Sequence, residues 1–211
     1  MREVVLVRHA QASFGAADYD VLSALGHRQA AALGRALSGE RFATAFTGRQ
    51  RRHRETWEGI AAGLPDAPAP RALPGLDEFD ADDLLAASGA PPPMPGDASA
   101  FFRSLRAAVL AWQRGEIDGA RESWTAFSAR VAEALREVAA AAPALVVSSG
   151  GAIGLMVATV LRSPPDRMIE LQLQLRNCAV TRLVAGRREV VLHSFNELPH
   201  AAGAPELVTY A

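Results

Sequence analysis

A short apolar run that ends abruptly in two polar side chains constrains the fold of this chain more than any other feature. Residues 4–7 read Val-Val-Leu-Val, and Arg8 and His9 follow them directly. A run of this kind, rich in β-branched residues, predicts a strand that is buried on both faces, as strands of parallel sheets are. Open α/β sheets bind their ligands at the carboxyl ends of their strands. Arg8 and His9 are therefore candidate site residues.

The rest of the chain alternates between helix-like and strand-like segments. Ser23 is a predicted N-cap, and apolar residues at helical spacing follow it as far as Leu37. Similar spacing predicts helices through residues 57–64, 101–112, 124–138 and 156–160, and a short helix that begins at Pro164-Pro165. Strands are predicted over residues 42–46, 144–147, 179–184 and 189–193, the last two as a hairpin, with at most a short edge strand within residues 65–74.

This alternation predicts the fold class. It is typical of an α/β protein, here a three-layer α/β/α sandwich with a mainly parallel sheet and an antiparallel edge strand. We expect residues 1–211 to form a single domain. The proline-rich residues 91–96 belong to an irregular excursion over about residues 75–97, which we place on the binding face.

Charge and cysteine content argue against several classes of protein. A net charge of -1 at pH 7 indicates no basic face for nucleic acid. Cys178 is the only cysteine, which excludes an intramolecular disulfide and CxxC-type metal sites. No apolar run reaches the roughly 18 residues of a membrane span, and the apolar run after Met1–Glu3 is too short for a signal peptide. We expect a cytoplasmic protein that uses no metal and no cofactor, with an oligomeric state that the sequence does not reveal.

The triplet Arg8-His9-Ala10 resembles the histidine phosphatase superfamily, which is also called phosphoglycerate mutase-like. In that family an Arg-His-Gly or Arg-His-Ala triplet follows the first strand, and its histidine becomes phosphorylated. The resemblance implies that His9 is the nucleophile and that Arg8 binds phosphate. Both roles suit the chemistry, because a neutral imidazole nitrogen is a competent nucleophile and a guanidinium group offers phosphate a planar fork of donors.

Two further segments resemble the family in the same order along the chain. Residues 22–30 are similar to its Leu-Thr/Ser-x-x-Gly-x-x-Gln-Ala helix start. Residues 47–56 are similar to its Ser-Pro-Leu-x-Arg-Ala-x-x-Thr segment, which aligns Arg52 with the phosphate-binding arginine and Thr56 with the threonine. The match is partial, because Arg49 and Gln50 stand where the family has Pro-Leu.

Residues 76–80 resemble the family's Leu-x-Glu element, which implies that Glu78 is the general acid. Such a glutamate protonates the leaving oxygen and later activates water. A phosphate dianion nearby raises the pKa of a carboxyl group, which suits a general acid. Asp77 and Asp80 are the alternatives for this role.

The chain departs from the family at Ser149. The family has Val-Ser-His-Gly-Gly where this chain has Val-Ser-Ser-Gly-Gly, so its second catalytic histidine aligns with Ser149. A serine hydroxyl still donates to a phosphoryl oxygen, but without positive charge, and neutral hydrogen bonds are the weaker kind. Gly150, at the start of a predicted helix, offers a backbone N–H group to the same anion. The sequence places none of the other histidines, His53 included, as a substitute.

Three functions are compatible with these residues. The first is a metal-independent phosphomonoesterase that works through phosphorylated His9 on a small phosphorylated substrate or a phosphoprotein. The second is a weakened or inactive module that only binds phosphate or a phosphoprotein. The third is a serine hydrolase using Ser148 or Ser149, although Val147 stands where the Gly-x-Ser-x-Gly motif needs glycine. The mutase branch is disfavoured, because Ala12 and Gly15 replace its hydroxyl and amide residues.

Overall fold

The computed structural model describes residues 2–13, 20–91 and 97–210, without the side chain of Ala98. Its strands are β1 (Glu3–Arg8), β2 (Thr44–Thr47), β3 (Pro70–Ala72), β4 (Ala144–Ser148), β5 (Val180–Ala185) and β6 (Val190–Glu197). Its α-helices are α1 (Ala24–Ala36), α2 (Arg51–Ala61), α3 (Ala81–Ala87), α4 (Ala98–Gln113), α5 (Trp124–Ala140), α6 (Gly150–Val160) and α7 (Arg167–Gln174). Short 3-10 helices lie at Pro74–Leu76, Pro199–Ala201 and Pro205–Leu207.

The strands form one sheet in the order β3-β2-β4-β1-β5-β6. β1 runs parallel to β4, and β2 runs parallel to both β3 and β4, so the carboxyl ends of these strands share one edge. β5 runs antiparallel to β1 and to β6. The predicted mainly parallel sheet with an antiparallel edge is confirmed.

Alternating side chains of the central strands build a hydrophobic core on each face of the sheet. Val5 and Val7 point to the face that α1 and α2 cover, where they pack with Leu33 and Ile60. Val4 and Leu6 point to the opposite face and pack with side chains of α4, α5 and α6, among them Val109, Phe127 and Met156. These four residues of β1 are fully buried. Burial on both faces accounts for the unbroken apolar run and produces the predicted three layers.

Segment 75–97 is more regular than the sequence suggests. Asp80 caps helix α3 by accepting a hydrogen bond from Asp83 N at 2.9 Å, and Leu84 of this helix is buried in the core. A cap and one buried leucine suffice for a short helix, because packing supplies most of the stability that isolated helices lack. Residues 92–96 lie outside the described part of the chain. That residues 1–211 form one domain stays a prediction.

Other predicted elements agree with the structure except at their ends. Ser23 caps α1 as expected, and Pro70–Ala72 is the short edge strand. α2 ends at Ala61 rather than Leu64, and α7 begins at Arg167, after the Pro164-Pro165 pair. Within the described residues, no helix combines the length and the apolarity that crossing a bilayer would require.

Close packing of α1 against α2 fixes the helix that carries Arg52. A Cβ atom at Gly34 of α1 would collide with the backbone carbonyl oxygen of Ile60 in α2. The absence of a side chain at residue 34 therefore lets the two helices approach.

We predict that Gly34→Ala lowers the free energy of unfolding by about 1–3 kcal/mol, the usual cost of overpacking. Gly39→Ala is the matched control, because a Cβ there has no atom within 4 Å. It should change stability by no more than about 0.5 kcal/mol. Urea unfolding followed by circular dichroism measures both. Equal effects of the two substitutions would contradict the packing argument.

Candidate functional site

Predicted site residues meet where the parallel strands end. His9 N donates to Ser148 O at 2.9 Å, which extends the β1–β4 pairing one residue past Arg8. Gly48 N donates to Val147 O at 3.1 Å, and this brings the start of α2 to the same edge. The loop after β3 follows and carries Glu78. Sheet topology thus gathers segments that are far apart along the chain.

A cleft of about 760 Å³ opens at this edge. Four predicted site residues line it: Arg8, His9, Arg52 and Glu78. The other two, Ser149 and Gly150, are fully buried beside it, and a Cβ atom at Gly150 would lie 3.7 Å from Arg8 Nε. The cleft also has an apolar wall, formed by Phe79, Phe101, Phe102, Leu105, Leu173 and Leu175.

His9 is held as a neutral imidazole. Its Nδ1 lies 2.8 Å from Ala10 O, and because a carbonyl oxygen only accepts, Nδ1 carries the proton and Nε2 the lone pair. Burial lowers the pKa of His9 well below its ordinary value, and the positive charges of Arg52 and Arg8 lower it further. Nε2 is therefore available as a nucleophile at neutral pH.

Two buried guanidinium groups give the cleft a positive charge. Arg8 and Arg52 are only 7% and 6% exposed. Arg8 Nη1 donates to Leu175 O, and Arg52 Nη1 pairs with Asp20 Oδ1 at 2.7 Å. Asp20, which the sequence patterns do not identify, also accepts from Arg51 N at 2.8 Å and so joins the start of α2 to the residues just before Leu22. Buried cations in a cleft of this size can bind a compact anion such as phosphate.

Among the three candidate acids, Glu78 is held most directly at the cleft. Its Oε2 accepts from Gly151 N at 2.8 Å, and Gln50 Oε1 accepts from Glu78 N at 3.1 Å. Burial raises the pKa of this carboxyl group, although the Gly151 bond and the two arginines oppose the rise. Desolvation therefore raises the pKa of Glu78 before any phosphate binds, and the charge of a bound phosphate dianion would raise it further.

The two neighbouring aspartates are engaged elsewhere. Asp77 accepts from Arg49 N at 2.5 Å and from Arg49 Nε at 2.7 Å. Asp80 lines the cleft but caps α3 with its Oδ1. Each aspartate thus has a partner of its own, whereas Glu78 bonds the backbone N–H of Gly151 beside the cleft.

A second imidazole lies next to His9. His53, the residue after Arg52, is fully buried, and its ring centroid is 5.7 Å from that of His9. Its Nε2 lies 2.7 Å from Ser149 Oγ, and burial lowers its pKa well below the ordinary value. The sequence patterns give His53 no role in the site. The one indication of such a role in the sequence is that His53 directly follows Arg52.

The remaining matched motifs tie the site together. Thr56 Oγ1 accepts from Ala10 N at 3.0 Å and donates to Arg52 O at 2.7 Å, so it joins α2 to the loop that holds His9. Gln29 Oε1 accepts from Gln11 N at 2.8 Å, and its amide donates to Leu207 O and to Thr209 Oγ1. Gln29 thus holds the backbone at Gln11, two residues after His9.

Of the two residues that disfavour the mutase branch, Ala12 and Gly15, only Ala12 lies in the described part of the chain. Ala12 forms an isolated bridge with Leu22, whereas Gly15 falls outside the described residues. Over the ranges that are described, no group of three or more His, Cys, Asp or Glu side chains is placed to hold a metal ion.

We predict that His9 and His53 stay neutral at pH 5.5, because burial lowers the pKa of each. An ordinary imidazole with a pKa of about 6.5 is about 90% protonated at that pH. Long-range ¹H–¹⁵N spectra should show His9 as the Nδ1–H tautomer throughout. Because unfolded imidazoles gain protons below about pH 6.5 and these folded ones do not, these two groups should lower the free energy of unfolding as pH falls from about 7 to 5.5. A His9 titration centred at or above 6.5 would contradict the prediction.

Comparison with solved structures identifies proteins of the same fold. The chain resembles the alpha-ribazole phosphatase of Shigella flexneri (TM-score 0.69, 19% identity, covering 92% of this chain and 96% of that one). It also resembles a mycobacterial glucosyl-3-phosphoglycerate phosphatase solved with inorganic phosphate (0.69, 20%, 95% and 99%) and the phosphoglycerate mutase of Bacillus anthracis (0.67, 17%, 95% and 95%). At such identities these likenesses establish the fold. No curated protein sequence matches the chain.

A family profile settles the classification. Residues 4–198 match the histidine phosphatase superfamily (branch 1), a span that runs from β1 to the end of the C-terminal hairpin. This span includes every residue predicted for the site. The chain therefore belongs to the histidine phosphatase superfamily.

Proposed function

We propose that this protein hydrolyses phosphomonoesters through a phosphohistidine formed on His9. The observation that carries the proposal is a neutral, buried imidazole in a cleft with two buried guanidinium groups and one carboxyl group whose pKa is raised. Nucleophile, anion site and acid are the three parts that phosphoryl transfer without a metal needs. A cytoplasmic location stays a prediction from the sequence.

In the first chemical step, the lone pair of His9 Nε2 attacks phosphorus and the bond to the leaving oxygen breaks. Arg8 and Arg52 hold the non-bridging oxygens and offset the charge that accumulates on them. Glu78 gives its proton to the leaving oxygen, so an alcohol departs. The Nδ1–H bond to Ala10 O orients the ring and favours the positive charge that the imidazole acquires.

In the second step, water attacks the phosphorus of phosphohistidine. The Glu78 carboxylate takes a proton from that water, and the P–N bond breaks to release phosphate and neutral His9. Ser149 and Gly150 remain predicted phosphate ligands. Both residues are buried beside the cleft, whereas Arg8 and Arg52 line it. We therefore expect Ser149 and Gly150 to contribute less to phosphate binding than the two arginines.

We propose hydrolysis rather than a mutase reaction. The similar structures include both phosphatases and a mutase, so family membership alone leaves the reaction open. Support comes from the described residues that line the cleft. Among them only Arg8 and Arg52 are positively charged, and both are assigned to the phosphate, so a carboxylate on the substrate would find no charged partner. Asp80 and Asp82 at the same cleft would also repel such a substrate.

The apolar wall of the cleft favours a small substrate whose alcohol portion is apolar. Phe101 and Phe102 stack edge to face with centroids 5.4 Å apart, and Leu105 and Leu173 continue the surface. The cleft volume is in the range of ordinary small-molecule sites. A phosphoprotein, the other substrate class left open by the sequence, would have to enter this cleft by a single side chain.

We predict that His9→Ala lowers phosphate release from a panel of phosphomonoesters by at least about a thousandfold, because it removes the nucleophile. Wild-type protein stopped during turnover of a ³²P-labelled ester should carry label that is labile in acid and stable in alkali, as a phosphoramidate is. His193→Ala, at an exposed histidine on β6, is the matched control and should leave release unchanged. A chelator should have no effect on the wild type.

Other outcomes would point to the other candidate functions. Activity that survives His9→Ala but disappears in Ser149→Ala would make serine the nucleophile, with His53 as its base. No phosphate release from any ester, with phosphate still bound in calorimetry, would favour the binding module. Activity lost with a chelator and restored by a divalent cation would refute metal-independent catalysis.

We predict that kcat/KM rises along a series of linear alkyl phosphates from ethyl to hexyl. Each methylene buried against the wall contributes about 0.8 kcal/mol, or about fourfold, while the leaving alcohols remain of similar acidity. Phe102→Ala should flatten the series, and Val191→Ala, an exposed apolar residue on β6, should leave it unchanged. A flat wild-type series, or a preference for carboxylated phosphates, would contradict the apolar substrate without affecting the His9 mechanism.

A further inference from the structure

Among the helices that the structure describes, three follow a serine at the N-cap position, and one of these serines makes no capping bond. Ser23 Oγ accepts from Gly26 N at 3.0 Å, and Ser123 Oγ accepts from Ala126 N at 3.1 Å, as N-cap serines usually do. Ser149 has the same extended backbone, with ψ 167° against 165° and 156°. Its hydroxyl makes no capping bond and instead lies 2.7 Å from His53 Nε2.

The N–H group of Gly151, at the second position of α6, is bonded to Glu78. Its distance to Glu78 Oε2 is 2.8 Å, and a Cβ atom on Gly151 would collide with Glu78 Oε1. The carboxyl group therefore packs directly on the helix terminus. An N-cap side chain normally bonds the N–H of the second or third helical residue. Ser23 and Ser123 both bond the third helical residue, so a capping Ser149 hydroxyl would face Ala152 N, next to the Gly151 N–H group that Glu78 occupies.

His53 is itself held firmly. It is fully buried, and its ring lies so close to Gly48 that a Cβ atom there would collide with Nδ1. The ring is thereby fixed with its Nε2 at 2.7 Å from the Ser149 hydroxyl.

We propose that His53 is a positioning residue for Glu78, acting by holding the Ser149 hydroxyl away from the start of α6. Its consequence for turnover rests on the proposed function of Glu78 as general acid. The arrangement at the helix terminus exists whether or not the protein is a phosphatase. His53 touches neither substrate nor the leaving oxygen in this scheme.

Removal of the imidazole should release the hydroxyl to cap α6. A hydroxyl turned to Ala152 N would lie next to the Glu78 carboxyl group and weaken its bond from Gly151 N–H, the bond that stabilises the charged form of Glu78 and lowers its pKa. The carboxyl group would become less acidic and less well placed. The other charged groups around it, Arg8, Arg52 and Asp80, stay the same in every variant proposed below.

We predict that His53→Leu lowers kcat about tenfold and moves the alkaline limb of the kcat/KM profile to higher pH, because a hydrogen bond to a charged group is weakened. The effect should require the hydroxyl. In a Ser149→Ala background, adding His53→Leu should change kcat by less than about threefold and leave the alkaline limb in place. His53→Gln, whose amide can still hydrogen-bond to Ser149, should stay close to the wild type.

A second measurement does not depend on activity. The ¹³C-labelled carboxyl group of Glu78 should titrate at higher pH in His53→Leu than in the wild type, and the double variant should match Ser149→Ala. Urea unfolding verifies that each variant is folded. If His53→Leu shifts the Glu78 titration equally with and without the serine hydroxyl, or leaves it unshifted, the proposal is wrong. Absence of phosphate release with this titration pattern intact would refute only the phosphatase assignment.

Discussion

Parallel pairing of β1 with β4 is the constraint on which the rest of the site depends. It sets Arg8 opposite Ser148, and the bond from His9 N to Ser148 O carries the pairing into the loops. Both strands are buried on both faces, so a register slip would expose their side chains or place polar groups in the core. The position of His9 is therefore determined by the same burial that stabilises the fold.

Electrostatics at this edge follow from burial as well. Two guanidinium groups out of water are costly unless paired, and Asp20 and backbone carbonyl oxygens offset part of that cost. Burial first, and then the positive charges of Arg52 and Arg8, lower the pKa of His9. The same arrangement thus keeps His9 neutral and gives the cleft a positive potential. The raised pKa of Glu78 comes from the same desolvation, opposed by the same two arginines.

Ser149, where the chain departs from the family, is in direct contact with His53. In this chain a serine stands where the family has its second histidine, and an imidazole from α2 reaches that serine. The site therefore still contains two histidines, from different elements. Ser149 and His53 are both fully buried, so each holds the other in place next to the cleft.

Local sequence patterns were sufficient for much of the architecture. Burial on both faces produces an unbroken apolar run, helical amphipathicity produces a repeat, and Ser23 caps α1 through a contact three residues away. Arg8 and His9 were identifiable for the same reason, since they immediately follow β1. Arg52 and Glu78 needed the family resemblance, because nothing in their immediate neighbours separates them from Arg49, Asp77 or Asp80.

The sequence by itself determined the layered α/β fold, the strand that ends just before His9 and the residues of the cleft that lie in recognisable motifs. Only the tertiary structure decided that Asp77 pairs with Arg49, that Asp80 caps α3, and that Glu78 is left for Gly151. It also decided the contact between His53 and Ser149, which are 96 residues apart. Periodicity and capping report on neighbours within a few residues, whereas these contacts depend on how separate elements pack.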